Sequence, residues 1–163
     1  MVRTLGRSDA AHDILEELPE WFGIDRFTYE YVEAAAKFPN YVAVAVPESP
    51  SAVGPDGGEV PFEDVLGVLL VDQRYPTSAE VHLLAVRRKH HRAGIGRTLL
   101  ERVEDDLRAQ GVRLLSVKTL GPSASDPDFD RTRAFYTACG FHPVEEFPDL
   151  WVDNPCLLMV KAL

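Results

Sequence analysis

The chain has 163 residues, 45% of them hydrophobic and 26% charged, so it can bury the core of one domain covering residues 1–163. Its net charge of −9 argues against a general nucleic-acid binder, because a phosphate backbone requires a basic surface. No apolar run approaches the roughly 20 residues that span a bilayer, and the N-terminus lacks the apolar stretch of a signal peptide. Cys139 and Cys156 have neither disulfide-framework nor metal-ligand spacing, so we expect a cytoplasmic protein with no metal, membrane or nucleic-acid partner.

The first part of the chain predicts two helices. The first starts at Ser8-Asp9, a good N-capping pair, and its apolar residues follow helical spacing towards Phe22. Pro19 should end or bend this helix, because proline removes a helical hydrogen bond. The second helix is predicted over Thr28–Phe38.

The next part predicts three strands, at Tyr41–Val46, Val65–Val71 and Ala79–Val86. Between the first two, residues Pro47–Pro61 contain four prolines and three glycines, which indicates a mobile loop. Because side chains alternate along a strand, the third strand is expected to present two sets of residues on opposite faces. These sets are Glu80, His82, Leu84 and Val86 on one face, and Val81, Leu83 and Ala85 on the other.

A helix from Ile95 to about Gln110 and a strand over Val112–Thr119 come next, with Gly111 as the stop between them. A strand, a helix and a strand in succession predict a right-handed crossover joining two parallel strands. A short helix at about Asp130–Cys139 and an antiparallel pair, Phe141–Trp151 with Cys156–Ala162, complete the chain. The fold class is therefore α/β, with a mixed sheet of about six or seven strands and about four helices.

The turn before Ile95 has the chemistry of an anion site. A helix N-terminus carries unpaired N–H groups and partial positive charge, and Gly94 and Gly96 would let an anion approach them. The surrounding stretch, 81–100, contains no acidic residue. It holds five of the 17 basic residues, Arg87, Arg88, Lys89, Arg92 and Arg97. The alternative is that the glycines only shape a tight turn and allow close helix packing.

Two motifs in this order resemble the GNAT N-acetyltransferase superfamily. The first is the glycine turn His91-Arg92-Ala93-Gly94-Ile95-Gly96, in which His91 stands where the family usually has arginine or glutamine. The second is Phe135-Tyr136-Thr137-Ala138-Cys139-Gly140-Phe141. Together with the element order, they imply the GNAT acyltransferase fold over essentially the whole chain and an acetyl-CoA-dependent N-acetyltransferase without a metal.

The resemblance implies roles for individual residues. The backbone of Leu84, Ala85 and Val86 would pair with the pantetheine arm of acetyl-CoA like an added strand. The glycine turn would bind the diphosphate through residues His91, Arg92, Ala93, Gly94, Ile95, Gly96, Arg97 and Thr98. Tyr136 would protonate the departing thiolate as a general acid, since a neutral phenol is a proton donor near neutral pH.

The base that accepts the proton of the acceptor amine has two candidates. Residues 79–86 resemble the histone acetyltransferase branch, which implies that Glu80 stands where that branch has its general-base glutamate. His82 follows two residues later on the same predicted face. Either residue could act, directly or through water.

The acceptor, a primary amine of a small molecule or peptide, is expected between the first two helices and the last strand pair. The candidate contacts are Trp21, Phe22, Tyr29, Tyr31, Trp151 and Asn154, of which the aromatic ones would clamp an apolar or cationic group. Two other functions stay open: an acyl-CoA sensor without turnover, and an interaction domain that uses the basic stretch. A homodimer is also open.

Overall fold

The computed structural model describes residues 2–4, 7–22, 25–45 and 65–163. These residues form one seven-stranded mixed sheet with the strand order β1-β2-β3-β4-β5-β7-β6. The strands are β1 (Val2–Thr4), β2 (Asn40–Val44), β3 (Val65–Tyr75), β4 (Ser78–Val86), β5 (Leu114–Leu120), β6 (His142–Trp151) and β7 (Asn154–Ala162). The helices are α1 (Ser8–Glu16), α2 (Pro19–Phe22), α3 (Asp25–Lys37), α4 (Ile95–Ala109) and α5 (Pro127–Ala138). The predicted fold class is confirmed.

The two faces of the sheet carry separate hydrophobic cores. On one face, the apolar sides of α1 and α3 pack against strand residues such as Val68 and Leu70. On the other face, α4 buries Leu99, Leu100 and Val103 against the sheet, as its helical periodicity predicts. We call these the α1/α3 face and the α4 face.

The N-terminal helices differ from the prediction in their bounds and capping. Ser8-Asp9 is not an N-cap: α1 already begins at Ser8, Arg7 occupies the N-cap position without a side-chain cap, and its guanidinium instead binds the Asp9 carboxylate at 3.0 Å. Pro19 begins the short helix α2, because proline fits a first helical position. The predicted loop 47–61 and the end of the predicted strand 41–46 lie outside the described residues.

Helix α5 starts earlier than the predicted Asp130. The Asp126 carboxylate accepts hydrogen bonds from the amides of Asp128 and Phe129, at 2.9 and 3.1 Å, and Pro127 is the first helical residue. An aspartate followed by proline is a strong start signal in the sequence, so the predicted start at about Asp130 lies too late in the chain.

The strand-helix-strand prediction is confirmed, because β4 and β5 are parallel and α4 connects them. The closing antiparallel pair is also confirmed as β6 and β7. Strand β7 lies between β5 and β6. Among the described residues, no helix is long and apolar enough to cross a membrane.

A β-bulge in β4 overturns the predicted division of its side chains into two faces. The pairing with β3 passes from Val71↔Val81 to Leu70↔Leu83, so one extra residue, His82, is accommodated. As a result Val81 packs into the α4 core, whereas Leu83 and Ala85 pack into the α1/α3 core. Leu84 correspondingly packs against the α4 core. It therefore does not share a face with His82, whose ring contacts α3.

Candidate active site

The candidate site is a cleft in the middle of the sheet, where β4 and β5 separate. The parallel pairing of these strands runs from Ser78↔Leu114 to Val81↔Val117 and then ends. Beyond that last pair, β4 continues along β3 to Val86, and β5 continues along β7 to Leu120. Each strand thus stays paired on its outer side while its inner side is open to the cleft.

The backbone groups that face the cleft follow from the hydrogen-bond alternation. The Arg87 amide donates to the Leu66 carbonyl at 2.8 Å, so Arg87 faces β3. Counting back by twos, Ala85 also turns its backbone groups to β3, and those of Leu84 and Val86 face the cleft. Of the three residues predicted to pair with a ligand arm, Ala85 is therefore engaged within the sheet.

The glycine turn lies at the mouth of this cleft, just after β4. Gly94 is the N-cap of α4 and has a left-handed backbone with φ of +83°; Arg92 is also left-handed, with φ of +64°. The amides of His91, Ala93 and Thr98 already donate to carbonyls of the turn. Within residues 91–98, all of which the structure describes, the amides without a backbone acceptor are those of Arg92, Gly94, Ile95, Gly96 and Arg97. These are the donors that a bound anion could use.

Gly67 on β3 allows α4 to begin close to the sheet. A Cβ atom at this position would lie 3.1 Å from the Ala85 carbonyl oxygen and from Val86 Cγ2, and 3.3 Å from Ile95 Cγ2. Any side chain there would therefore push the start of α4 away from the end of β4. Sequence reasoning did not single out this glycine, since it lies inside an ordinary apolar strand.

The arginines of the basic stretch differ in whether they are bound to other parts of the fold. The Arg87 guanidinium binds the Glu17 carboxylate and the Val65 carbonyl, and Arg88 binds the Glu20 carboxylate and the Glu17 carbonyl. These contacts attach the end of β4 to the α1–α2 connection. Arg92 is exposed beside the turn, so it is better placed than Arg87 or Arg88 to meet an anion.

A series of contacts connects the glycine turn with α2, α5 and the end of β5. The His91 Nε2 atom lies 2.7 Å from the Val86 carbonyl, and the ring packs edge-on against Trp21, with 5.9 Å between centroids. The Trp21 indole N–H donates to Thr132 Oγ1 on α5 at 3.0 Å. Arg133 in turn donates to the Leu120 carbonyl at the end of β5. Trp21, predicted as an acceptor contact, is therefore a bridge between the glycine turn and α5.

Tyr136 lies on the α4 face of the cleft. Its side chain is buried between Phe135 and Phe141, with ring centroids at 5.3 and 5.4 Å. Burial raises the pKa of the Tyr136 phenol, and the nearby Tyr31 phenol raises it further. The hydroxyl is therefore protonated at neutral pH, as a proton donor must be.

Glu80 and His82 lie on the α1/α3 face of the cleft. The Glu80 carboxylate binds the ammonium group of Lys118 on β5, with 2.5 Å between Oε2 and Nζ. Both side chains are partly exposed, at 23% for Glu80 and 32% for Lys118. Lys118 was not among the predicted site residues, because its partner lies 38 positions away and no local pattern connects them.

The His82 imidazole packs edge-on against Phe38 and Tyr31, with centroid distances of 5.1 and 5.5 Å. Burial lowers the pKa of His82 below its ordinary value of 6.5, and the opposing effect of the Glu80 charge is smaller. The ring is therefore neutral near pH 7 and can accept a proton.

The remaining acceptor candidates are spread over two places. Phe22 packs against Tyr31, at 5.6 Å between centroids, and Tyr31 packs against His82, so these two aromatics lie next to His82 on the α1/α3 face. Phe22 also lines a cavity of about 460 Å³ between the first three helices, together with the exposed Tyr29. Trp151 and Asn154 pair with each other at the β6–β7 turn, two residues before the buried Cys156.

The sheet is mixed and opens between two parallel strands beside the N-terminus of a helix. The sequence model of the acetyltransferase (GNAT) family matches residues 11–141. The chain belongs to this family.

Solved structures agree with the fold. A protein from Desulfovibrio desulfuricans assigned to the GNAT acetyltransferases superposes with a TM-score of 0.74 at 18% identity, covering 99% of this chain and 96% of that one. The aminoglycoside 6'-N-acetyltransferase from Enterococcus faecium gives 0.69 at 18%, with 99% and 97% covered. A GNAT acetyltransferase from Elizabethkingia anophelis with acetyl-CoA bound gives 0.63 at 15%, with 91% and 89% covered. No curated protein matches the sequence. At these identities the likeness establishes the fold and leaves the acceptor open.

Proposed function

We propose that this protein transfers the acetyl group of acetyl-CoA directly to a primary amine of a small molecule or peptide. One observation carries the proposal: the Tyr136 phenol lies on the α4 face of the sheet, and Glu80 and His82 lie on the α1/α3 face of β4, next to the point where β4 and β5 separate. The reaction takes a proton from an amine and delivers one to a thiolate, so these groups could serve as its proton acceptor and its proton donor. Structures related in fold include one with acetyl-CoA bound.

The donor would enter from the glycine turn. Its diphosphate would bind the free amides between Arg92 and Arg97, where the helix N-terminus favours negative charge. Its pantetheine arm would lie in the cleft and pair with the backbone of Leu84 and Val86. The His91 ring lies within hydrogen-bonding distance of the Val86 carbonyl. When the arm binds, His91 would therefore either move away or share this carbonyl with it.

In the chemical step, the amine nitrogen attacks the thioester carbonyl carbon and the carbon–sulfur bond breaks. The thiolate of CoA takes the proton of the Tyr136 hydroxyl. The proton lost by the amine goes to the base, directly or through water. Both protons are then accounted for, and the products are the acetamide and CoA.

The contacts favour His82 over Glu80 as the base. Lys118 holds one oxygen of the Glu80 carboxylate in an ion pair, so this oxygen is already engaged. Burial lowers the pKa of His82, so its imidazole is neutral near pH 7 and can accept a proton. Glu80 stays the second candidate for the base, and Phe22 and Tyr31 would form the wall of the acceptor side next to His82.

The test is a thiol-release assay with acetyl-CoA and a panel of amines, amino acids, aminoglycosides, polyamines and peptides. An active amine should be found, and Tyr136→Phe should lower kcat for it by about a hundredfold or more. Tyr75→Phe, at an exposed tyrosine on the same protein, is the matched control and should leave kcat unchanged.

An acyl-CoA sensor would instead bind acetyl-CoA without turning over any amine. An interaction domain built on the basic stretch would bind no CoA, and the engagement of Arg87 and Arg88 within the fold weakens that alternative.

A further inference from the structure

Thr119, near the end of β5, has a buried hydroxyl group that nothing in the described part of the chain satisfies. The residue is only 4% exposed, and its Oγ1 atom has no hydrogen-bond partner there. Leaving a buried hydroxyl unpaired costs about 1–3 kcal/mol. Most buried polar groups are paired in native proteins, so such an exception calls for an explanation.

The strand register places this hydroxyl at the cleft. β5 pairs with β7 from Leu114 to Leu120 without a register shift, so its side chains alternate strictly. Leu115 and Val117 point into the α4 core, and Thr119 therefore points to the same face. The last pair between β4 and β5 involves Val117, so Thr119 lies just beyond the point where the strands separate.

The backbone of Thr119 is engaged on the other side. The Gly121 amide donates to the Pro155 carbonyl at 2.8 Å, so by alternation Thr119 directs its N–H and C=O groups towards β7. The neighbouring residues, Lys118 and Leu120, turn their backbone groups to the cleft. On the α4 face of β5, Thr119 thus contributes a hydroxyl beside the cleft-facing edge of the strand, where the Leu120 carbonyl accepts from the Arg133 guanidinium.

We propose that the Thr119 hydroxyl is a hydrogen-bonding contact for the amide-bearing arm of the acyl-CoA donor, a role that rests on the donor site proposed above. An extended chain that runs along the cleft-facing edge and carries secondary amides fits such a lining. A hydroxyl can donate to an amide carbonyl or accept from an amide N–H. The binding of the arm then satisfies the group that is unpaired in the free protein.

This role predicts opposite effects of one substitution on stability and on binding. Thr119→Val keeps the shape of the side chain and removes the hydroxyl. In the ligand-free protein it should leave the melting temperature unchanged or raise it, because an unpaired buried polar group is replaced by an apolar one. The same variant should bind acetyl-CoA about five- to thirtyfold more weakly, because an amide of the arm loses its partner. Thr119→Ser keeps the hydroxyl and should bind within about threefold of the wild type.

The experiment combines thermal unfolding without ligand and titration calorimetry with acetyl-CoA on the full chain. A lower melting temperature for Thr119→Val would mean that the hydroxyl has a structural partner, and it would overturn the proposal. So would unchanged affinity of Thr119→Val when the wild type binds; that result would leave the acetyltransferase function standing. If the wild type itself binds no acetyl-CoA, the proposed function fails and this inference fails with it.

Discussion

Gly94 offers the sharpest test of the anion site, because its effects on the fold and on the ligand can be separated. A Cβ atom at this residue would meet no other atom within 4 Å. Any side chain placed there projects into open space, where the diphosphate is proposed to bind. The only cost to the fold is conformational, since φ is +83° and an L-residue pays about 1–2 kcal/mol in the left-handed region.

A series of three variants exploits this separation. Gly94→Ala and Gly94→Glu should lower the free energy of unfolding by a similar amount, about 1–2 kcal/mol. Gly94→Asn should lower it less, because asparagine adopts left-handed conformations more readily. For acetyl-CoA binding the order differs. The glutamate carboxylate would lie about 5 Å from the negative charge of the bound diphosphate. This repulsion costs about 1–3 kcal/mol at effective dielectric constants between those of water and a protein surface.

Gly94→Glu should therefore bind acetyl-CoA about 5- to 150-fold more weakly than Gly94→Ala at equal stability. Calorimetric titration measures the affinities, and denaturant unfolding measures the stabilities. Because the effect is electrostatic, the gap between the two variants should narrow in high salt. If Gly94→Glu binds as tightly as Gly94→Ala, the diphosphate does not lie at the start of α4, and the reasoning is refuted.

Two further predictions concern the base and the scaffold. Burial lowers the pKa of His82, so kcat/KM of the wild type should decline with acidification only below pH 6.5. In His82→Gln the maximal kcat/KM should be lower and this acidic decline should be absent. If the pH profile of His82→Gln matches that of the wild type, His82 is not the base. Gly67→Ala should lower the free energy of unfolding by about 1–3 kcal/mol and weaken acetyl-CoA binding, because its methyl group would crowd Val86 and Ile95. Thermal unfolding measures the first effect and calorimetric titration the second; normal affinity would mean that binding does not require α4 to begin so close to β4.

Much of the fold follows from local patterns in the sequence. Helix α4 was predictable because Leu99, Leu100 and Val103 follow the helical period, and Gly111 stops the chain in a left-handed conformation with φ of +83°. The parallel pairing of β4 and β5 followed from the order of elements alone. The glycine turn and Tyr136 were found because each belongs to a local motif.

The bulge at His82 could not be read in the same way. Buried and half-buried residues alternate along β4 from Ser78 to Val86 without interruption. Both faces of the sheet are covered, so the buried residues stay buried after the bulge although they then lie on the opposite face. A pattern of apolar and polar residues records burial and says nothing about which core a residue enters. The pair of Glu80 with Lys118 was hidden for a different reason, since it depends on tertiary contact across the cleft.

The bulge also bears on the placement of the two proposed proton-transfer groups, His82 and Tyr136, on opposite faces of the sheet. Without it, His82 would point to the same side as Leu84, which packs against the α4 core together with Phe135 beside Tyr136. With the bulge, His82 and Glu80 lie on the α1/α3 face, and Tyr136 lies in the α4 core. The Tyr31 phenol on the α1/α3 face raises the pKa of Tyr136. A donor that enters from the glycine turn and an acceptor that enters from α1 and α3 can then meet in the cleft without competing for space. In the proposed mechanism, the one extra residue in β4 is therefore what separates the face of Leu84 from the face of His82.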